Sequence, residues 1–101
     1  MNKKMLRQAQ QLQQRMLRHQ EELESAKDEA TSGGGVVTAV VNGKLRVESL
    51  TIDPEVVAAD DVEMLSDLVL AAVNEGLEKA NEMVSSRMSA LTGGMNIPGL
   101  T

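Results

Sequence analysis

GGGVVTAVVNGKLRV, residues 33–47, is the stretch on which the fold turns. Three consecutive glycines stop a helix, and the β-branched run Val36–Val41 then reads as a strand. Asn42-Gly43 is the strongest short hairpin signal, because a two-residue turn that matches strand twist needs positive φ at both positions. The return strand opens with Leu45 and Val47 in alternation, but the apolar parity then slips by one, to Leu50 and Ile52. A bulge or break near Glu48-Ser49 accounts for the slip and divides the segment into a second and a third strand.

Upstream of the glycines, residues 2–30 read as one long helix. Met5, Ala9, Leu12, Met16, Leu23, Ala26 and Ala30, with His19 filling the gap, recur at alternating spacings of four and three, a heptad seam. Gln8, Gln10, Gln11, Gln13, Gln14 and Gln20 are good helix formers, and neither Gly nor Pro interrupts them. Downstream, Asp53-Pro54 starts a short helical turn to Ala58, with Asp as cap and Pro in the first turn. Asp60, with Glu63 three residues on, fits the start of a second long helix running from Asp61 to about Ala90. Its stripe includes Leu65, Leu68, Val69, Ala72, Ala80, Met83, Val84 and Leu91. Gly76 lies mid-stripe, a cost of about 1 kcal/mol against Ala that a close helix approach would offset. Helices of about 29 residues would run about 43 Å, whereas strands of six to eight residues reach only about 20–27 Å. Each helix must therefore overhang the sheet. The expected architecture is α+β, α-β-β-β-α, one domain over 1–91 with a flexible Gly/Pro-containing tail over 92–101.

The composition explains why such a chain needs a partner. It has 101 residues with no Cys, Trp, Tyr or Phe, so disulfides and thiolate metal sites are excluded and the core consists of small pieces. At that size the remaining route to more buried area is a second copy, most simply a two-fold dimer. The absence of aromatics also makes a base-stacking platform improbable. The longest apolar run, Leu68–Val73, is far short of a membrane span or a signal-peptide core, so the chain reads as soluble, unexported and cytoplasmic.

The net charge of -5 hides a segregation. Lys3, Lys4, Arg7, Arg15 and Arg18 fall within residues 1–20 without a single acid, whereas Glu55, Asp60, Asp61, Glu63 and Asp67 fall within 55–67 without a base. With Met5 and Leu12 on the seam, Lys3, Lys4, Arg7 and Arg18 project outward and Arg15 flanks the seam. Such a face neutralises phosphates. From the residues alone a solvated surface, or a pairing partner for the acidic block, is the plainer reading, and an anionic-membrane contact is the least favoured. Lys79 and Arg87 are candidates for further contacts or for intrahelical pairing with a nearby Glu.

The remaining constellations favour structure over chemistry. The glutamines read first as helix surface and secondarily as phosphate or adenine contacts. His19 is the only histidine, an interface residue that would make assembly mildly pH-sensitive, since no second His or any Cys joins it as a ligand. Asp60, Asp61, Glu63 and Asp67 lack the alternation and turn glycine of a calcium loop, so they cap and solubilise. Gly33-Gly34-Gly35 lacks the Lys-Ser/Thr of a phosphate loop and reads as a flexible connector. No nucleophile and base can be paired. Neither active site, metal nor cofactor is expected.

Taken in succession, QAQQLQQRM (8–16), GGGVVTAVVNGKLRV (33–47), LTIDPE (50–55), EMLSDLVLAAVNEGLEKA (63–80) and GGMNIPG (93–99) resemble the YbaB/EbfC family of bacterial nucleoid-associated DNA-binding proteins across almost the whole chain. Gly76 stands where such proteins often carry Ala. The resemblance implies an α-β-β-β-α protomer, a tweezer-like homodimer with protruding helices, and a nucleoid location. It also implies non-enzymatic binding of double-stranded DNA with little sequence specificity, with DNA organisation or bridging and an influence on expression as consequences. The alternative is a structural or chaperone-like dimer whose exposed helices hold a partner protein.

Overall fold

The computed structural model describes residues 2–92. The expected tail over 92–101 lies, beyond Thr92, outside the described residues. Six elements follow in order: α1 Lys3–Ser25, β1 Lys27–Ser32, β2 Val37–Asn42, β3 Val47–Ile52, α2 Pro54–Ala58 and α3 Val62–Thr92. The strands form an antiparallel sheet in the order β1-β2-β3. The α-β-β-β-α architecture is as expected, but its first strand is not where the periodicity placed it.

The opening helix stops at Ser25 instead of continuing to 30, because Ala26 turns extended (φ -66°, ψ 143°). Residues 27–32, KDEATS, then pair with all six residues of β2, from Lys27 opposite Asn42 to Ser32 opposite Val37. Little in that segment favours a strand on its own. Pairing and burial override the local preference: Ala30 lies against α3 at 1% exposure, and the Ser32 hydroxyl bonds the Leu68 carbonyl at 2.6 Å. The match of Ala26 and Ala30 to a heptad seam was accidental. Gly33-Gly34-Gly35 consequently links two strands, not a helix to a strand, with φ of 60°, 76° and 101°.

The second hairpin also departs from expectation. Asn42 and Gly43 do not form a two-residue turn with positive φ; the positive φ belongs to Leu45 (61°), which lies in the turn and not in the return strand. Asn42 organises this turn, its Oδ1 accepting from the N–H groups of Lys44 (2.9 Å) and Arg46 (3.3 Å). The expected bulge is present: Val40 faces Ser49 and Val41 faces Val47, leaving Glu48 as the extra residue. It does not split the strand. By absorbing one residue it keeps Val47, Leu50 and Ile52 on one face of a single β3.

Asp53 and Pro54 start α2 as read, Asp53 Oδ1 accepting from the Glu55 N–H at 2.9 Å. The cap of α3 shifts by one: Asp61, not Asp60, accepts from the Met64 N–H at 3.0 Å, while Asp60 takes a positive φ of 56°. On the sheet, α3 packs its inner face, so that Val37, Ala39 and Ala72 are fully buried beneath Leu68, Val69 and Val73. Gly76 lets the helix come close, since a Cβ there would lie 2.8 Å from Val41 Cγ2. The largest fully buried side chains are only the valines 37 and 41. The core is small, as an aromatic-free chain requires.

Candidate nucleic-acid interface

Because α1 ends at Ser25, its anchorage is confined to its last two turns. Leu23 is its one buried residue, and every residue from Asn2 to Arg18 is exposed. The helix starts under a firm cap, Asn2 Oδ1 accepting from the Met5 N–H at 2.7 Å. At its base, His19, Glu22 and Leu23 face Arg87, Ala90 and Leu91 across a cleft of about 330 Å³. The base of α1 thus meets the C-terminal end of α3, and about 24 Å of helix continues past it. The molecule measures 70 Å along its longest axis, against about 46 Å for a helix of the 31 residues of α3. The difference is this free arm.

The arm has two sides. Lys3, Lys4, Arg7, Arg15 and Arg18 occupy one half of its circumference, with Gln8, Gln11 and Gln14 among them at 3.6 residues per turn. Met5, Ala9, Leu12 and Met16 occupy the other, flanked by Leu6 and Leu17. All five cations are exposed, and among the described residues none lies within 4.0 Å of a carboxylate. The lysines of the body are engaged instead: Lys27 with Glu48 at 3.3 Å, Lys44 with Glu24 at 3.9 Å, and Lys79 with Glu75 at 3.8 Å. Lys79 also donates to the Glu29 carbonyl at 3.3 Å, tying α3 to β1. These exposed pairs contribute little stability, but they satisfy the cations locally.

The structure therefore brings the five sequence-identified cations together and separates them from Lys79. Arg87 lies in the cleft at the arm's base, near His19, whose Nδ1 is 3.7 Å from Glu22 Oε2. Asp60 and Asp61 precede α3 and Glu63 and Asp67 lie in its first turns, about 30–45 Å from that cleft along the helix axis. Within one chain they cannot neutralise the arm. Among the described residues no group of three His, Asp or Glu side chains is placed to hold a metal ion. No helix there is long and apolar enough to cross a membrane.

Two apolar surfaces escaped the periodicity reading. Leu70 and Leu77, together with Val84 and Leu91 of the single stripe read from the sequence, form a second stripe on α3, rotated away from the face that lies on the sheet; Leu70 is 59% exposed. The inner face of β3 is also poorly covered, because α3 lies over β1 and β2, and Val47 and Leu50 stay exposed. The signal for the α3 stripe was present as a second 3–4 recurrence, overlaid on the first.

Comparison with known proteins identifies the family and the fold. The profile of the YbaB/EbfC DNA-binding family matches residues 1–95. A nucleoid-associated protein of Caldanaerobacter subterraneus is 56% identical over 96 residues, 95% of this chain and 86% of that one. One from Pelotomaculum thermopropionicum is 53% identical over 97 residues, 96% and 92% of the two chains. The crystal structure of an uncharacterized protein from Helicobacter pylori shares the fold, with a TM-score of 0.62 at 22% identity, over 86% of this chain and 96% of that one.

Proposed function

This chain belongs to the YbaB/EbfC DNA-binding family, and from that premise we propose that it is a nucleoid-associated protein that docks on duplex DNA through the cationic side of α1. The observation that carries the reading is the contrast between five exposed, unpaired arm cations and the paired lysines of the body. Phosphates offer the arm what its own chain does not. Affinity then comes from counterion release, and sequence preference is weak because neither aromatic stacking nor a dedicated base-reading cluster is available.

The functional unit in this reading is a homodimer. The outer stripe of α3 and the open inner face of β3 are apolar surfaces of matching character, and a second copy would bury both. Two-fold symmetry would then present two arms, which is what bridging or organising DNA requires. A location in the nucleoid follows from the same binding, and the sequence-independent mode is compatible with broad effects on expression. The apolar side of the arm, with Met5 at 60% and Met16 at 62% exposure, favours a second reading in which the arms hold a partner protein.

A gel-shift titration against a short duplex, repeated across salt, separates the two. Five phosphate contacts on one arm give a log–log slope of about -4.5, doubled when both arms engage. Absence of binding at low salt, or affinity independent of salt, overturns the DNA reading.

A further inference from the structure

The turn between β2 and β3 lies directly against the base of the arm. The Gly43 N–H donates to the Ala26 carbonyl at 3.0 Å, and Lys44 Nζ lies 3.9 Å from Glu24 Oε2. A Cβ on Gly43 would overlap the carbonyl oxygen of Leu23, and would sit 2.7 Å from its carbonyl carbon and 3.2 Å from Glu24 Cα. These are backbone atoms of the last turn of α1, so no rotamer change moves them aside. The glycine is not there for its backbone conformation, since the positive φ in this turn belongs to Leu45. It is there for space.

Little else sets the direction of α1. Leu23 is its only buried side chain, and the neighbouring His19 and Glu22 border an open cleft. Tilting a helix of 23 residues by about 15° at its base moves its tip by about 9 Å. That displacement is close to the Debye length of about 10 Å at 0.1 M salt, enough to carry Lys3, Lys4 and Arg7 out of range of a phosphate that Arg18 still reaches.

We propose that Gly43 is a positioning residue for the arm: its missing side chain lets the β2–β3 turn close on the last turn of α1 and so fixes where α1 carries its cations. The proposal rests on the DNA-binding reading for its consequence, not for its geometry. Because the chain has no cysteine, spin labels can be placed at Gln8→Cys on the arm and Ser49→Cys on the sheet, with labelled chain diluted into excess unlabelled chain.

In the Gly43→Ala background the interlabel distance shifts by about 5 Å or its distribution broadens about two-fold. Helix content stays unchanged, and affinity for a short duplex falls about ten-fold as contacts at the tip are lost. An unchanged distance distribution overturns the proposal whatever the affinity does. Failure of the parent protein to bind DNA overturns the DNA reading instead, and the distance still decides the role of Gly43. Should Gly43→Ala not fold, amide exchange in the parent protein decides: a Gly43 amide as protected as those of β2 supports the closed seat, and exchange at the rate of an open loop overturns it.

Discussion

The Ser32 hydroxyl donates a 2.6 Å hydrogen bond to the Leu68 carbonyl, 36 residues away, and so pins the end of β1 to α3. The contact is half-buried, and the acceptor already serves its own helix. Ser32→Ala removes the donor and leaves the carbonyl's helical bond intact, so the expected loss is about 1 kcal/mol. Urea unfolding followed by circular dichroism measures it. A change below about 0.3 kcal/mol would show that sheet pairing, Ala30 and the Lys79–Glu29 bond hold β1 without this contact.

The arm is a charge device, and reversal is its direct test. Arg7→Glu with Arg18→Glu replaces two unpaired cations by anions on the outward side of α1, where no packing is disturbed. Binding to duplex DNA is expected to disappear at 0.1 M salt, while mass by sedimentation and thermal stability remain as in the parent protein. Binding that survives with an unaltered salt slope places the DNA contact elsewhere.

Leu70 projects from the outer stripe of α3 at 59% exposure, so its replacement costs an isolated chain almost nothing. Leu70→Asp would instead bury an unpaired carboxylate in a dimer interface, at several kcal/mol. Sedimentation should show the parent protein at twice the chain mass and the variant at the chain mass of 10.9 kDa. A variant that remains dimeric excludes this stripe from the interface.

At Gly76 two effects of similar size oppose each other. Ala gains about 1 kcal/mol of helix propensity, but its Cβ meets the buried Val41 Cγ2 at 2.8 Å, and overpacking costs about 1–3 kcal/mol. Gly76→Ala should therefore be neutral to destabilising by about 2 kcal/mol. In combination with Val41→Ala the two losses should fall short of additive, because the smaller residue makes room for the new methyl. Additive losses in a denaturant-based double-mutant cycle would contradict the close approach.

What could be read along the chain was what local chemistry decides. Asp53-Pro54 announces a helix start through one side chain and one fixed φ. The slip from Val47 to Leu50 announces the bulge at Glu48, because strand alternation has a period of two. The five arm cations need no tertiary structure to be found, since their charge and the absence of acids around them are properties of the sequence.

What only the tertiary structure decided were matters of pairing and approach. Residues 27–32 continue a helical pattern, and only the ladder with β2 and the burial of Ala30 make them a strand. Gly43 looks like a turn glycine until the base of α1 is set against it. The outer stripe of α3 is present in the sequence as a second recurrence, but only the sheet's claim on the inner face separates the two. In each case the deciding energy comes from contacts between segments distant in sequence, which local periodicity does not register.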